Sequence, residues 1–426
     1  MKKITGIVLM LCVVLTAAGC NSNPDTVDES VSATVSSSKY EEISVAETII
    51  QTEHTTESVV ETETVMPQAE STILKLNKKE FYNCEWSEEY AIPLVETEYS
   101  AILLGSEDAE RYPELANALS EVSDYYETNL LEEYNMLAES ANESVSSGVE
   151  GFDTLVSTLD VHVRRADNVV LSILYDSYYY NGMNDGSRSF WGGNYDTETG
   201  KELYLPDVVT DIDEFAKVVE TELFGTVGAD VLYSDTIIEE YFKEYGADGT
   251  HWNMEYNGVT IYFGEGEIAG SGFGAINLTI EFAEHPELFN DKYTAVPEAY
   301  IVGLPMESPF STDLDGDGKN DVLTVFDSYD EENNYYATMY IYVAEVYYAE
   351  SFWAYDCEPY YVKTADSKNY LYVFTELETQ MYLHVYEITN STISKVGEAN
   401  VSPFYSDGIS AVLTDPNSMH FDIFSD

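Results

Sequence analysis

The distribution of aromatic residues sets the strongest limit on where this chain can fold. Residues 21–72 contain one aromatic residue, Tyr40, among many serines, threonines and glutamates. Such a segment buries too little apolar surface to offset the entropy lost on ordering. All other aromatic residues, among 36 Tyr, 17 Phe and 4 Trp in total, follow residue 72. We therefore predict a disordered tether over residues 20–72 and a folded body that begins at residue 73.

The first residues predict an export signal. Lys2 and Lys3 precede an apolar run from Ile4 to Ala18, which suits a signal peptide core and is too short to span a bilayer comfortably. The run ends in small residues before Cys20, as in the lipobox of bacterial lipoproteins. We expect residues 1–19 to be removed and Cys20 to carry the lipid. The alternative is an ordinary secretory signal in which Cys20 is incidental.

The charge of the chain excludes one class of function. It has 79 acidic residues against 18 Lys and Arg, a formal net charge of −61. Such a surface repels phosphate backbones, so nucleic-acid binding is excluded, and it would attract a strongly basic protein over long range at low salt. The same acidity is also typical of a secreted protein that only needs to stay soluble.

The periodicity of apolar residues predicts an α+β fold. Residues 111–137 have the spacing of one long amphipathic helix, and a second helix is expected from an N-cap at Asp211 to Gly225. Strands are expected at 159–163, 168–180 and 276–282, with a turn at 196–200 in which Gly200 supplies a positive φ. Short aromatic and β-branched runs predict an antiparallel β domain over residues 301–426, after an α+β domain over residues 73–300.

Part of the α+β region resembles a known family. Residues 178–208 and 259–272 are similar to the extracytoplasmic domain shared by the RsiV anti-sigma factors and the PdaC peptidoglycan deacetylases. The motifs that carry the resemblance are Asn194-Tyr195-Asp196-Thr197-Glu198-Thr199-Gly200-Lys201, Leu205-Pro206-Asp207 and Glu267-Ile268-Ala269. The family's glycine loop usually presents a His, where this chain has Asp185.

This resemblance implies an RsiV-like helix-on-sheet domain that recognises a ligand in the cell wall. In RsiV-like proteins the domain binds lysozyme, so lysozyme or peptidoglycan is the implied partner. The sequence contains neither the Asp-Asp and His-x-x-x-His pairing of a polysaccharide deacetylase nor a segment that we can assign to sigma-factor binding. The expected role is therefore recognition without the usual effectors of the family.

A calcium loop is predicted in the C-terminal region. Its acidic residues fall at loop positions 1, 3, 5 and 9, with a glycine at position 6 for the sharp turn. The expected ligands are Asp313, Asp315, Asp317, the carbonyl of Lys319, and Asp321. Position 12 is Thr324 instead of Glu, inside an apolar run, so the loop resembles the calcium loops of FG-GAP and related propeller repeats. The alternative is an acidic surface turn without an ion.

The sequence offers little support for catalysis. The six histidines form no local zinc motif, and no Ser has the spacing of a nucleophile elbow. Glu265 and Glu267 are expected on one strand face, where chance accounts for such a pair. Cys84 and Cys357 are expected as free thiols more often than as a disulfide.

Two functional hypotheses follow. The first is a non-catalytic recognition protein, lipid-anchored on the outer face of a bacterial membrane, and it is the one we favour. The alternative is a wall-glycan hydrolase or a deacetylase-associated enzyme whose site is assembled from distant acids. No ligand-binding residues are predicted for either.

Overall fold

The computed structural model describes residues 73–87, 92–147, 152–182, 186–228, 231–330, 335–344, 346–377, 380–401, 409–419 and 421. The predicted signal peptide, Cys20, the tether and Asp185 lie outside these residues. Within the described part of the chain, no helix is both long and apolar enough to cross a membrane.

The described residues form six α-helices and two short 3-10 helices. The α-helices are α1 (Ser106–Arg111), α2 (Pro113–Ser146), α3 (Leu205–Val208), α4 (Ile212–Thr226), α5 (Ile237–Gly249) and α6 (Asp291–Thr294); the 3-10 helices are Ser271–Phe273 and Pro286–Leu288.

Eighteen strands complete the described secondary structure. They are β1 (Leu76–Ser87), β2 (Ile92–Leu104), β3 (Leu155–Ala166), β4 (Val170–Tyr180), β5 (Ser187–Asp196), β6 (His251–Met254), β7 (Gly258–Phe263), β8 (Ile276–Glu281), β9 (Tyr300–Gly303), β10 (Phe310–Thr312), β11 (Asp321–Asp330), β12 (Tyr335–Val343), β13 (Val346–Ala354), β14 (Asp356–Lys363), β15 (Asn369–Glu376), β16 (Met381–Ile388), β17 (Ile393–Val401) and β18 (Ile409–Val412).

Four sheets are built from these strands. The largest has the order β18-β1-β2-β3-β4-β5, in which β2 and β3 are parallel and the other pairs antiparallel. The others have the orders β10-β11-β12-β13, β17-β16-β15-β14-β9 and β6-β7-β8, and their pairs are antiparallel. The α+β class and the antiparallel character of the C-terminal region are thus confirmed.

The long helix covers one face of the six-stranded sheet. The prediction placed it at residues 111–137, whereas α2 begins at Pro113 and continues to Ser146. It packs on β1, β2 and β3 through a buried stripe at helical spacing, formed by Leu115, Leu119, Leu130, Leu137 and Ala141. The other face of the sheet is left for the C-terminal strands.

Two local predictions are confirmed by backbone geometry. The Asp211 side chain accepts a hydrogen bond from the Glu214 amide at 3.0 Å and caps α4. Gly200 has φ +63° in the turn after β5. A Cβ there would lie 2.5 Å from the Glu114 carbonyl, so both the backbone and the close approach of α2 require glycine.

Two other predictions are wrong, one because tertiary contacts cover a strand face that the pattern left exposed and one because the chain turns where a strand was expected. The strand at 276–282, expected to have one wet face, is half-buried or buried throughout β8. Its Asn277 amide donates to Ser308 Oγ at 2.9 Å and to the Pro309 carbonyl at 3.2 Å. Glu265 and Glu267 lie in the turn after β7 and share no strand face.

The last described strand pairs with the first one. β18 pairs with β1, and the Thr414 hydroxyl donates to the Leu74 carbonyl at 2.7 Å. The segments 73–300 and 301–426 therefore share one sheet. Cys84 is half-buried and Cys357 buried, and both are free thiols, as the sequence favoured.

Candidate functional site

A large cleft lies on the face of the six-stranded sheet that α2 does not cover. Its volume is about 1320 Å³, and its lining comes mainly from strands β1, β2, β3, β4 and β18 of this sheet on one side and from β14 on the other, with Arg188 added by β5. The side chains of a strand alternate between its faces, so Thr158, Asp160 and His162 on β3 share the cleft side. Leu159 and Val163 point instead into the core under α2.

Asp176 on β4 is the centre of an ionic network on this face. Arg188 donates to its carboxylate from Nε to Oδ1 at 2.8 Å and from Nη2 to Oδ2 at 2.6 Å. His162 Nε2 lies 3.8 Å from Oδ2. Burial alone would raise the pKa of Asp176, but the two hydrogen bonds and the charge of Arg188, together with the nearby His162 ring, outweigh it and lower the pKa to about 2. Asp176 is therefore ionised at neutral pH.

Two carboxyls in the cleft titrate near neutral pH. Asp160 is the cross-strand partner of Asp176, and Asp356 begins β14 on the opposite side. Both reach water in the cleft although protein atoms surround them. Desolvation is the main cause that raises the pKa of Asp160 to about 7. The negative charge of Asp176 adds to this rise, and the positive charge of Lys78 opposes it. Desolvation and the charge of Glu358 raise the pKa of Asp356 to about 7.

Lys78 joins the two sides of the cleft. Its Nζ lies 2.9 Å from Glu80 on the same strand and 3.0 Å from Glu358 on β14. The Tyr360 hydroxyl donates to the second oxygen of Glu358 at 3.1 Å. Burial opposes the charged form of Lys78, but the neighbouring carboxylates raise its pKa well above the usual value. This bridge holds two segments of the cleft wall that are far apart in sequence.

The cleft is acidic and rich in aromatic rings. Among the described residues that line it, nine carry a carboxyl group and two, Lys78 and Arg188, carry a permanent positive charge. Both cations are engaged in ion pairs with cleft acids. The aromatic lining residues are Trp86, Tyr178, Tyr180, Tyr336, Tyr360 and Phe374. A cavity with these walls is complementary to a cationic ligand with apolar surface.

Sequence reasoning did not find this cleft. The signal that could have indicated it is the alternation of polar residues on the predicted strands, Thr158-x-Asp160-x-His162 and Asp176-x-Tyr178. In the structure Tyr178 and Tyr180 line the cleft, while Tyr179 packs against the residues under α2.

The predicted calcium loop forms the tip of the β10–β11 hairpin. Thr312 pairs with Asp321 at its base, and Gly316 and Gly318 have φ of +79° and +83°. The carboxylate oxygens of Asp313, Asp315 and Asp317 lie within 4.8 Å of one another. Asp313 is half-buried and the other two are exposed. Three carboxylates at this separation fit the oxygen ligands of a hard cation such as calcium.

Asp321 stands apart from the other three predicted carboxylates. Its Oδ2 accepts a hydrogen bond from the Leu314 amide at 3.1 Å. Burial and the neighbouring carboxylates of the loop raise its pKa, and the Leu314 amide opposes them. The amide of Lys319 donates to Asp317 at 2.9 Å. The loop thus brings together three of the predicted side-chain ligands and holds the fourth at its base.

A second cluster of metal-ligating residues already contains a cation. Glu350, His384 and Glu398 present ligand atoms within 4.8 Å of one another. Lys395 Nζ lies 2.5 Å from Glu350 and 3.3 Å from His384 Nδ1, and it also contacts Glu398. The ammonium group contacts both carboxylates and occupies the space between them, so this cluster is an internal ion-pair network.

Comparison with known proteins finds only solved structures of low similarity. No family model matches the sequence, and no curated protein matches it. A DUF3298 family member from Bacteroides fragilis is similar in structure at 13% identity and a TM-score of 0.39, covering 51% of this chain and 94% of its own. A DUF3298 family protein from Pseudomonas aeruginosa has 16% identity and a TM-score of 0.36, covering 53% and 98%. At these TM-scores neither a family nor a function follows from the similarity.

Proposed function

We propose that this chain is a non-catalytic recognition protein for a cationic, wall-active protein such as lysozyme. The observation that supports the proposal is the cleft, in which carboxyl groups far outnumber positive charges and alternate with aromatic rings. Carboxylates accelerate the approach of a basic partner, and aromatic side chains slow its dissociation. The resemblance of residues 178–208 to the RsiV and PdaC domain points to the same partner.

The proposal includes attachment to a membrane. Processing before Cys20 would leave that residue lipidated at the start of the mature chain, with the tether 21–72 between lipid and folded body. About 50 coil residues have a root-mean-square reach on the order of 40 Å, enough to extend into the wall. Metabolic labelling with a fatty acid analogue should mark the wild-type chain and not Cys20→Ala. An unlabelled wild type would contradict the anchor.

The central experiment compares two triple variants with the same change in net charge. The cleft variant combines Asp160→Asn, Glu265→Gln and Asp356→Asn, all at exposed positions that line the cleft. Binding of hen lysozyme is measured at pH 8, at which both aspartates are largely ionised, across salt from about 50 to 300 mM. We expect the cleft variant to bind roughly tenfold or more weakly, which corresponds to about 1.4 kcal/mol.

The control variant removes three acids from the exposed surface of the helices. It combines Glu110→Gln, Glu121→Gln and Glu139→Gln, none of which lines the cleft. We expect its affinity at about 150 mM salt to stay within roughly threefold of wild type, because exposed charges are screened at this ionic strength. Equal losses in the two variants, or wild-type affinity that vanishes at this salt, would reduce the interaction to nonspecific charge attraction.

We further propose that calcium binds the loop Asp313–Asp321 and stabilises the β10–β11 hairpin. Asp313, Asp315 and Asp317 would supply carboxylates, the carbonyl of Lys319 and the carboxylate of Asp321 would complete the set, and the geometry resembles FG-GAP-type loops. The loop also touches the β16–β17 turn, where the Asn390 amide donates to Asp315. Isothermal titration with calcium that gives no heat up to about 5 mM would contradict this, since extracellular sites bind at roughly 0.1 to 1 mM.

One observation favours a second candidate, hydrolysis of a wall glycan. Asp160 and Asp176 are adjacent on the cleft floor, and their pKa values are about 7 and about 2. A protonated acid beside an ionised one is the arrangement of glycosidase carboxyl pairs. Arg188 occupies both oxygens of Asp176, which suits charge stabilisation better than nucleophilic attack. Peptidoglycan release that Asp160→Asn abolishes would establish hydrolysis; no release by wild type would reject it.

A further inference from the structure

The opposite face of the six-stranded sheet carries a second groove. Helix α2 packs over β1, β2 and β3 and leaves the α2 side of β4 and β5 partly open. The groove there has a volume of about 530 Å³, within the roughly 300–1,000 Å³ of small-molecule sites. Its principal lining residues are Tyr99, Tyr126, Asn129, Glu133, Ser157 and Trp191.

Aromatic rings form one wall of this groove. Trp191 stacks on Tyr175 with ring centroids 5.6 Å apart, and Tyr126 lies 5.4 Å from Tyr175. Tyr99 and Tyr125 meet Tyr126 edge to face at 6.5 and 5.6 Å. The face of each ring carries the negative end of its quadrupole. A row of rings therefore attracts a desolvated cation.

A carboxylate is held in place beside these rings. Glu133 on α2 accepts hydrogen bonds from the Tyr99 hydroxyl and from Ser157 Oγ, the latter at 2.5 Å. Both bonds go to Oε2, so Oε1 keeps its capacity to accept from a ligand. Glu132 adds a second carboxylate at the rim, and the described lining contains no Lys, Arg or His.

We propose that this groove binds the alkylammonium group of a small organic molecule. The rings would contact the methyl or methylene groups around the nitrogen, and Glu133 would balance its charge. A sugar would also stack on such rings, but two carboxylates without a neighbouring positive charge favour a cation. The site is on the α2 side of the sheet and does not depend on the function proposed for the cleft.

The test uses choline and its neutral isostere, 3,3-dimethylbutan-1-ol, as probes of the intact folded chain in calorimetric titrations. We expect choline to bind at least roughly tenfold more tightly than the isostere, because shape is the same and only the charge differs. Equal binding of both probes, no binding of choline, or tighter binding of a disaccharide would each overturn the proposal. Nα-acetyl-lysine methyl ester represents a lysine side chain of a protein. If it bound more tightly than choline, the ligand would be a protein and not a small molecule, and the proposal would be overturned.

Three variants locate the binding to the groove. Glu133→Gln keeps the shape and removes the charge, and Tyr125→Ala removes a rim ring that is 61% exposed. Each should weaken choline binding roughly tenfold. Tyr347→Ala, at a ring 66% exposed on β13, is the matched control and should leave the affinity unchanged. If Glu133→Gln fails to fold, the comparison of Tyr125→Ala with Tyr347→Ala still tests the location of the site. Equal affinity of these two variants for choline would overturn the assignment to this groove.

Discussion

Removing Arg164 should destabilise the fold strongly, because its partner would be left as a buried, uncompensated charge. Arg164 on β3 is 3% exposed and donates from Nε to Glu255, which is 1% exposed, at 2.9 Å. Its Nη1 donates to the Gly303 carbonyl at 2.7 Å, and the guanidinium lies 5.1 Å from the Phe310 ring. One side chain thus links β3 to the β6–β7 turn and to β9.

The burial of this ion pair predicts how much stability each variant should lose. Breaking a buried pair by removing one partner costs about 3 to 5 kcal/mol, whereas replacing both by apolar residues is often close to neutral. We expect Arg164→Met to show the full loss in denaturant unfolding. The double variant Arg164→Met with Glu255→Met should recover most of it.

The pH dependence of Arg164→Met gives an independent check. Burial raises the pKa of Glu255, and Arg164 opposes that shift in the wild type. Without Arg164 the folded-state pKa rises further above the unfolded value, so the folded state is favoured at low pH and loses stability as pH rises. The deficit of the variant should be smaller at pH 5 than at pH 8. A deficit below about 1 kcal/mol, or a double variant as unstable as the single one, would refute the reasoning.

Three further predictions concern the loop, the cleft and the thiols. Calcium at a hundred times its dissociation constant should stabilise the wild type by about 2.7 kcal/mol and not Asp317→Asn; an identical melt in chelator and in about 5 mM calcium would contradict this. Lysozyme binding to the cleft should strengthen between pH 6 and pH 8, because Asp160 and Asp356 lose protons near pH 7; a flat profile in wild type would argue against a role for these carboxyls. In residues 21–426, a thiol reagent should modify Cys84 in the folded state and Cys357 only on unfolding, since burial raises the pKa of Cys357 and shields it; equal rates by mass spectrometry would contradict the burial.

The local features predicted from sequence are those that neighbouring residues determine. The cap at Asp211, the positive φ at Gly200 and the sharp turn at Gly318 in the loop at 313–321 need only short-range hydrogen bonds and backbone sterics. The start of α2 was placed within two residues from Pro113 and the apolar spacing, whereas its end at Ser146 was placed nine residues too early. The prediction ended with the regular apolar spacing at Leu137, although Gly148 follows the C-cap Ser147 as a stop signal and buried Ala141 continues the packed face beyond Leu137.

The sequence by itself determined the α+β class and the spacing of the loop carboxylates. Only the tertiary structure decided that β2 and β3 are parallel, that β18 closes the first sheet, and which acids meet in the cleft. Lys78 and Glu358 are 280 residues apart, so their contact depends on how two sheets approach each other. Periodicity shows which side chains share a strand face, but with 79 acids in the chain it cannot show which of them face one another. The same packing fixes the pKa values of Asp160 and Asp176, because desolvation and the reach of Arg188 exist only in the folded protein.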